Sequence, residues 1–485
     1  MEPVAPARRC LQVERPAPRI NPDILRRYDL RGIVGRQLGL GDARALGLAY
    51  AECARREARN RIAVGRDGRL SSPELERALI EGLTAGGMHV HRIGIGPTPQ
   101  LYFAVHSRAL DGGIMVTGSH NPPQENGFKV LLGAAPVHGE HLRELVETAG
   151  ARAPGGRITE MPCSAEYVQA LAAVRELKPL TVIWDCGNGA TGGIVRALTA
   201  RLPGRHYLLN SRIDGRFPAH HPDPAVAGNL RELQVAVLSH GADLGIAFDG
   251  DGDRIGVVDE SGAILWPDQV MVLLARALLR EQPGASVVAD VKSSRVLFEE
   301  IERSGGRAVM APSGYVRVRD VMLRESAPLA GEMSGHILYR DCWHGTDDAL
   351  YVAMRLLEAL AATTNSLGDF RRALPRSAST PELRVPCPEA AKERIVREVL
   401  ARLRAAGAEV DTTDGLRVHS GSGWWLLRAS GTESRLTIRC EADDEDSLDE
   451  LRREVRRQLA QSGLDCGLGE HPHRRSAAHA GVPAH

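Results

Sequence analysis

Three carboxylates stand at alternate positions in Asp249-Gly250-Asp251-Gly252-Asp253, with a glycine between each pair. Left unneutralised at that spacing they would repel and raise one another's pKa, so the arrangement calls for a cation. Carboxylate oxygens are hard ligands, which favours Mg²⁺ over a soft metal. The flanks Leu244–Phe248 and Ile255–Val258 are apolar and β-like, which puts the carboxylates at a strand end. Two other readings of the same letters stand beside this one. A Gly/Asp-rich stretch between strands is often a solvated turn. A calcium loop fits in part, since Asp249, Asp251, Asp253 and Glu260 fall at positions 1, 3, 5 and 12 of an EF-hand. Against calcium, Arg254 occupies the position where that loop needs glycine, and no pair of helices flanks it.

Three more loops carry chemistry. Thr117-Gly118-Ser119-His120-Asn121-Pro122 follows a short apolar strand. Gly118 would let the backbone approach a phosphate, and Ser119 would stand exposed as a nucleophile with His120 beside it. Adjacent residues rarely face each other, so a capped turn is the competing reading. Asn126-Gly127-Phe128-Lys129 then brings in an ammonium. Glu332, Ser334 and His336 alternate, and in an extended segment they would project from one face, as paired donors and acceptors for a polyhydroxylated ligand. Arg428, Ser430 and Thr432 repeat the alternation around Gly431, where one guanidinium fork, two hydroxyls and freed amides would cradle a phosphate dianion. A solvated edge and a hairpin turn of small residues are the respective rivals.

Together and in this order, these loops resemble the α-D-phosphohexomutase superfamily, most nearly its bacterial phosphomannomutase/phosphoglucomutase group. The resemblance spans about residues 24–465. It includes Tyr28-Asp29-Leu30-Arg31-Gly32, His221-Pro222-Asp223-Pro224, Asp290-Val291-Lys292 and Asp347-Asp348 as well as the four loops.

The resemblance implies three α/β mixed-sheet domains and a smaller α+β C-terminal domain, forming a heart-shaped molecule around a central cleft. It implies a phosphorylated Ser119, with Asp249, Asp251 and Asp253 holding one Mg²⁺ per chain against it. Phosphoserine would give its phosphoryl group to a hexose 1-phosphate, and the resulting 1,6-bisphosphate, also the activator, would turn over and return its other phosphoryl. Arg254 would add charge. Lys129 or His336, assisted by Arg31, would move the hydroxyl proton, with His120 beside the nucleophile. Tyr28, Lys292, Gly314, Tyr315, Glu332, Ser334, His336, Arg428, Ser430, Gly431 and Thr432 would bind substrate. The chain departs from the family pattern at Tyr315, where histidine is usual: tyrosine can donate a hydrogen bond but brings no positive charge. His344 stands where an aromatic residue is common, and Ser434 where proline often follows. Phosphoglucosamine mutase is the nearest rival within the family, and Met333 stands where that group has glutamine. A phosphoserine-dependent phosphatase, with water intercepting the phosphoryl group, is the rival outside it.

These residues need elements to hold them. Arg61–Gly65, Ile114–Val116, Thr181–Asp185 and Val287–Asp290 read as strands that each run into a loop, with helices expected from Ser72, after Gly189 and over Val296–Ile301. Repeated β-loop-α units predict α/β domains. After about residue 376 one amphipathic helix over Glu389–Ala406, a hairpin of Gly423–Arg428 and Arg435–Glu441, and a helix over Ser447–Gln461 predict an α+β domain. The expected division is a disordered tail at 1–20, domains at 21–162, 163–263, 264–375 and 376–466, and a second tail at 467–485.

With 61 basic and 61 acidic residues in 485, there is no electrostatic case for nucleic acid or an anionic membrane. No apolar run reaches a membrane span, and no signal peptide is visible, so a cytoplasmic monomer or homodimer acting on a small phosphosugar is expected. Eight cysteines without CxxC spacing read as buried reduced thiols. Only four basic residues are lysine (Lys129, Lys178, Lys292 and Lys392), so a lysine inside a chemical motif stands out against the arginine background.

Overall fold

A computed structural model describes residues 19–173, 177–430 and 434–465. The two expected tails fall outside these residues apart from Arg19 and Ile20, and Ile20 is buried in a hydrophobic core. The chain divides into two compact units, one running to Pro267 and including Ser334–Gly368, the other holding Asp268–Met333 and the chain from Asp369 onward. The stretch expected as a third domain is therefore shared between them.

The first unit carries two mixed sheets. In one, Arg61–Arg66 lies between the parallel strands His89–Ile95 and Gly112–Val116, and Glu125–Leu132 runs antiparallel to the last. The runs Ile62-Ala63-Val64 and Ile114-Met115-Val116 are buried throughout, as a sheet covered by helices on both faces requires. Arg66 pairs with Val116, so the loops after these two strands leave the sheet side by side. In the other sheet Leu244–Phe248 is parallel to Leu180–Asp185 and antiparallel to Ile255–Asp259. The three aspartates are thus the turn of a hairpin, closed by the pair Phe248 and Ile255. The expected β-like flanks are confirmed.

In the second unit Ser286–Asp290 lies between the parallel strands Arg307–Ala311 and Leu329–Gly331. The chain from Ala378 onward forms an antiparallel sheet in which Gly423–Ala429 and Arg435–Ala442 pair as predicted. The helices Glu389–Ala405 and Glu445–Gln461 pack on it through Ile395, Val399, Leu403, Leu451 and Val455. This is the α+β arrangement anticipated for the C-terminal region.

Two expectations need correction. The segment from Glu332 to His336 is a turn and not extended, because Gly335 takes φ +97° and the Met333 amide turns back to Asp290 Oδ1 at 3.3 Å. Alternation therefore does not set the directions of Glu332, Ser334 and His336. The unit boundary also falls between Met333 and Ser334. Among the described cysteines, Cys163, Cys186, Cys387 and Cys440 are buried free thiols, but Cys53 is half-buried and Cys342 exposed. No helix among the described residues is long and apolar enough to cross a membrane.

Candidate active site

Ser119 sits where the parallel strand Gly112–Val116 ends, in a left-handed conformation with φ +49°. That region is costly for a residue with a side chain and persists only where the surroundings impose it. They do so here. The Ser119 amide donates to Thr117 Oγ1 at 2.8 Å, and that hydroxyl donates to Asp67 Oδ2 at 2.8 Å. Arg69, fully buried, donates to the carbonyls of Ser119 and Asn121, both at 2.6 Å, and to those of Pro122 and Glu125 at 2.7 and 2.9 Å. Burial presses its pKa down, and the Asp67 carboxylate, 3.2 Å from its Nε, opposes this. Asp67 and Arg69 leave the neighbouring strand Arg61–Arg66, whose pairing delivers them to the loop. Sequence reasoning missed both. The available signal was an acid and a base two residues apart at a strand end, directly before the helix Ser72–Ala85.

The result is that Ser119 Oγ donates to Asp249 Oδ2 at 2.8 Å and lies 3.1 Å from His120 Nδ1. Although adjacent side chains seldom meet, the left-handed turn brings these two together. His120 is held neutral, its pKa pushed well down by burial and by the charges of Arg254 and Arg31. The two loops approach backbone to backbone: a Cβ on Gly250 would lie 2.3 Å from the Ser119 carbonyl oxygen. Gly250 therefore admits the serine loop.

All three aspartates are buried, and one oxygen from each lies within 4.8 Å of the others. Asp249 Oδ1 is spent on the amides of Gly252, Asp253 and Arg254 at 2.9 to 3.2 Å. Burial and the charges of Asp253 and Asp251 push the Asp249 pKa well up. Thr98 Oγ1 donates to Asp251 Oδ2 at 2.5 Å, Lys129 Nζ to the same atom at 2.7 Å, and Lys129 also pairs with Asp253. Asp251 Oδ1 and Asp253 Oδ1 remain without a hydrogen-bond partner. Buried carboxylate oxygens in that condition are strongly destabilising unless a cation takes them up. The set can bind a metal ion, and its all-oxygen donors match a hard divalent cation. The calcium-loop reading fails on architecture, since strands and not helices flank the turn.

Arg31, Arg254 and His336 join the same centre. Arg31 donates to the Gly118 carbonyl at 3.0 Å and to Asn121 Oδ1 at 2.7 Å. Burial works against its charge, but Asp29, Asp251 and Asp253 outweigh that and raise its pKa, so it stays a cation and cannot act as a base. Arg254 Nε donates to His336 Nε2 at 3.0 Å, which leaves the ring proton on Nδ1, 2.8 Å from Asp347 Oδ2. Tyr28 is half-buried in the bend before Leu30–Ile33, its ring 6.4 Å from that of His138.

Beneath the aspartate turn, His220 Nε2 meets the buried Asp185 Oδ2 at 2.8 Å, and that hydrogen bond raises the imidazole pKa to about 9. A folded-state pKa above the ordinary 6.5 means the pair stabilises fully below pH 6.5 and is lost as pH rises through about 9. Denaturant titrations from pH 6 to 10 should show wild-type stability falling across that window. His220→Gln should be less stable at pH 6 and lack that fall.

In the second unit Asp290 gathers three loops, accepting from Ser293 Oγ at 3.0 Å, Ser313 Oγ at 2.6 Å and the Met333 amide. Lys292 Nζ lies 3.3 Å from Glu382 and 3.8 Å from Asp290. Burial alone would lower its pKa, but Asp290, Glu382 and Glu332 raise it, so the ammonium is kept. Gly314, at φ +115°, caps the helix Tyr315–Arg324, and Tyr315 opens it. Arg428 lies near the end of Gly423–Ala429, and the buried Ser430 follows, its carbonyl accepting from Lys392 Nζ at 2.5 Å. Gly431 and Thr432 lie outside the described residues. Lys392 was also missed as a support, because nothing in a helical run marks a lysine that turns inward.

Comparison with known proteins identifies the family. The chain matches "Phosphoglucomutase/phosphomannomutase, alpha/beta/alpha" domain I over residues 23–153, domain II over 165–262 and domain III over 266–377, and the family's C-terminal domain over 382–458. It is 41% identical over 442 residues to a phosphoglucomutase of Neisseria meningitidis, covering 90% of this chain and 96% of that protein. It is 39% identical over 447 residues to a phosphomannomutase/phosphoglucomutase of Pseudomonas aeruginosa, covering 91% and 96%. A crystal structure of a phosphoglucomutase/phosphomannomutase family protein from Burkholderia thailandensis superposes with a TM-score of 0.86 at 36% identity, covering 92% of this chain and 99% of that one. With all four of its domains matched in order over most of the sequence, the chain belongs to the phosphoglucomutase/phosphomannomutase family.

Proposed function

We propose that the chain is a phosphohexomutase that interconverts the 1- and 6-phosphates of glucose, mannose or both, through a phosphorylated Ser119 and a hexose 1,6-bisphosphate. The observation that carries this reading is Ser119 Oγ, held in a left-handed turn 2.8 Å from one of three buried aspartates. Asp249, Asp251 and Asp253 are the proposed holders of one Mg²⁺, which when bound supplies charge neutralisation for the phosphoryl group in transfer.

The chain's own residues do the rest. Arg69 and Asp67 fix the serine loop, so that Oγ needs no reorganisation before it accepts or gives up phosphate. Arg31 and Arg254 supply permanent positive charge. For the sugar hydroxyl proton, Arg31 is excluded as a base by its raised pKa. His336 Nε2 carries a lone pair that Arg254 occupies. Movement of that guanidinium toward phosphate frees Nε2 to take the proton, while the Asp347 carboxylate, 2.8 Å from Nδ1, supplies the opposing charge. Lys129, drawn to Asp251 and Asp253, is the second proton carrier. Lys292, Glu332, Ser334, Tyr315, Arg428 and Ser430 bind the sugar and the phosphate that is not reacting, with Tyr28, Gly314, Gly431 and Thr432 completing the set. The domain division at 162, 263 and 375 and a cytoplasmic monomer or homodimer belong to the same proposal.

The test is an assay with Mg²⁺ and a catalytic amount of hexose 1,6-bisphosphate, run side by side on mannose, glucose and glucosamine phosphates. Interconversion of mannose or glucose phosphates is expected. Free phosphate released in place of isomer would favour a phosphatase, and turnover of glucosamine phosphate alone would favour the aminosugar mutase. Exhaustive treatment with EDTA should abolish turnover and added Mg²⁺ should restore it. Full activity after chelation would remove the metal from the mechanism.

A further inference from the structure

In the second unit Asp414 precedes the strand Leu416–Ser420, which pairs with Gly423–Ala429 so that Leu416 opposes Leu427. This register brings the Asp414 carboxylate to Arg428. Oδ2 lies 3.2 Å from Arg428 Nε and accepts the Ser313 amide at 3.0 Å. Its other oxygen, Oδ1, accepts from Arg317 Nη1 at 3.2 Å. Two guanidiniums therefore share one carboxylate, and neither has another carboxylate within ion-pair distance among the described residues.

The charge count is unbalanced. Two permanent cations against one anion leave a net positive charge, and Lys292 feels Arg428 as a further repulsive charge. The hydrogen-bond count is unbalanced in the same sense. Arg428 faces Asp414 as an ion pair in which its Nε makes no hydrogen bond, and Arg317 donates through Nη1 alone, so each fork keeps donors in reserve, in the planar geometry that suits phosphate oxygens. Arg317 stands in the first turn of the helix Tyr315–Arg324, two residues after Tyr315, whose side chain brings a hydroxyl and no charge. Arg317 is the cation this helix start contributes.

We propose that Arg317 is a second phosphate-binding guanidinium, forming with Arg428 a pair held by Asp414 and completed by the phosphate of the substrate that is not being transferred. This rests on the mutase reading above. The competing account is a tether, in which Arg317 merely pins Asp414. Partly exposed ion pairs of that kind contribute little to stability, so the two accounts predict different magnitudes.

The experiment uses the full chain and the variants Arg317→Met, which keeps the packing stem, and Arg317→Lys, which keeps the charge. Kinetics on glucose 1-phosphate and calorimetric titration with inorganic phosphate are measured together. Arg317→Met should raise KM and weaken phosphate binding by about tenfold each, the size of one charge-assisted contact, with kcat within about twofold and an unchanged unfolding midpoint. Arg317→Lys should recover part of both. Unchanged KM and phosphate affinity would overturn the proposal, as would a raised KM with unchanged phosphate affinity and a lowered midpoint. If the wild type fails to interconvert hexose phosphates yet binds inorganic phosphate through Arg317, the mutase reading falls and the Arg317 assignment stands.

Discussion

Ser119→Ala should reduce turnover by about 10⁴-fold or more, the cost of removing a nucleophile whose partners cannot replace it. The variant should still fold. Serine already bears the left-handed cost of about 1–2 kcal/mol, so alanine, with the same Cβ, adds little to it. The neighbouring hydroxyl cannot stand in, since Thr117 Oγ1 is spent between the Ser119 amide and Asp67. Substrate binding should survive, because the residues proposed to bind sugar and phosphate are untouched. Steady-state assay and calorimetric titration of glucose 1-phosphate check the two halves separately. Retention of most activity would falsify the phosphoserine mechanism.

The second large effect is expected at a residue that touches no substrate. Arg69→Met removes the donor to four backbone carbonyls and leaves the buried Asp67 without its countercharge. Breaking a buried pair from one side costs about 3–5 kcal/mol. Arg69→Lys should be only a partial remedy, since three donors from a point charge cannot span carbonyls that a planar fork reaches. Urea unfolding should show a lower midpoint for the methionine variant, with lysine between it and wild type. Turnover should fall further than substrate affinity, because the Ser119 carbonyl loses its hold while the substrate-binding residues keep theirs. A methionine variant with wild-type midpoint and turnover would show that Arg69 is dispensable.

Much of the site could be read before any coordinates. The Asp249–Asp253 turn, the Ser119 loop and the antiparallel C-terminal sheet were legible because each announces itself locally, by glycine spacing, by a strand end or by alternation. What escaped was what long-range pairing creates. Asp67 and Arg69 acquire their roles only when Arg66 pairs with Val116, and Asp414 only when Leu416 pairs with Leu427. The turn at Glu332–His336 was misread as extended because alternation looks the same in both, and only the φ of Gly335 distinguishes them. The meeting of Ser119 with His120 was discounted for a similar reason, since one left-handed residue reverses the usual divergence of neighbours.

Arg69 holds the serine loop entirely through carbonyl oxygens, those of Ser119, Asn121, Pro122 and Glu125. Every amino acid brings the same oxygen. That part of the loop's path is thus written in one arginine outside it, which leaves the exposed side chains of Pro122 and Pro123 available for change. A library randomised at Pro122 and Pro123 should yield many active clones, whereas one randomised at position 69 should return arginine almost alone.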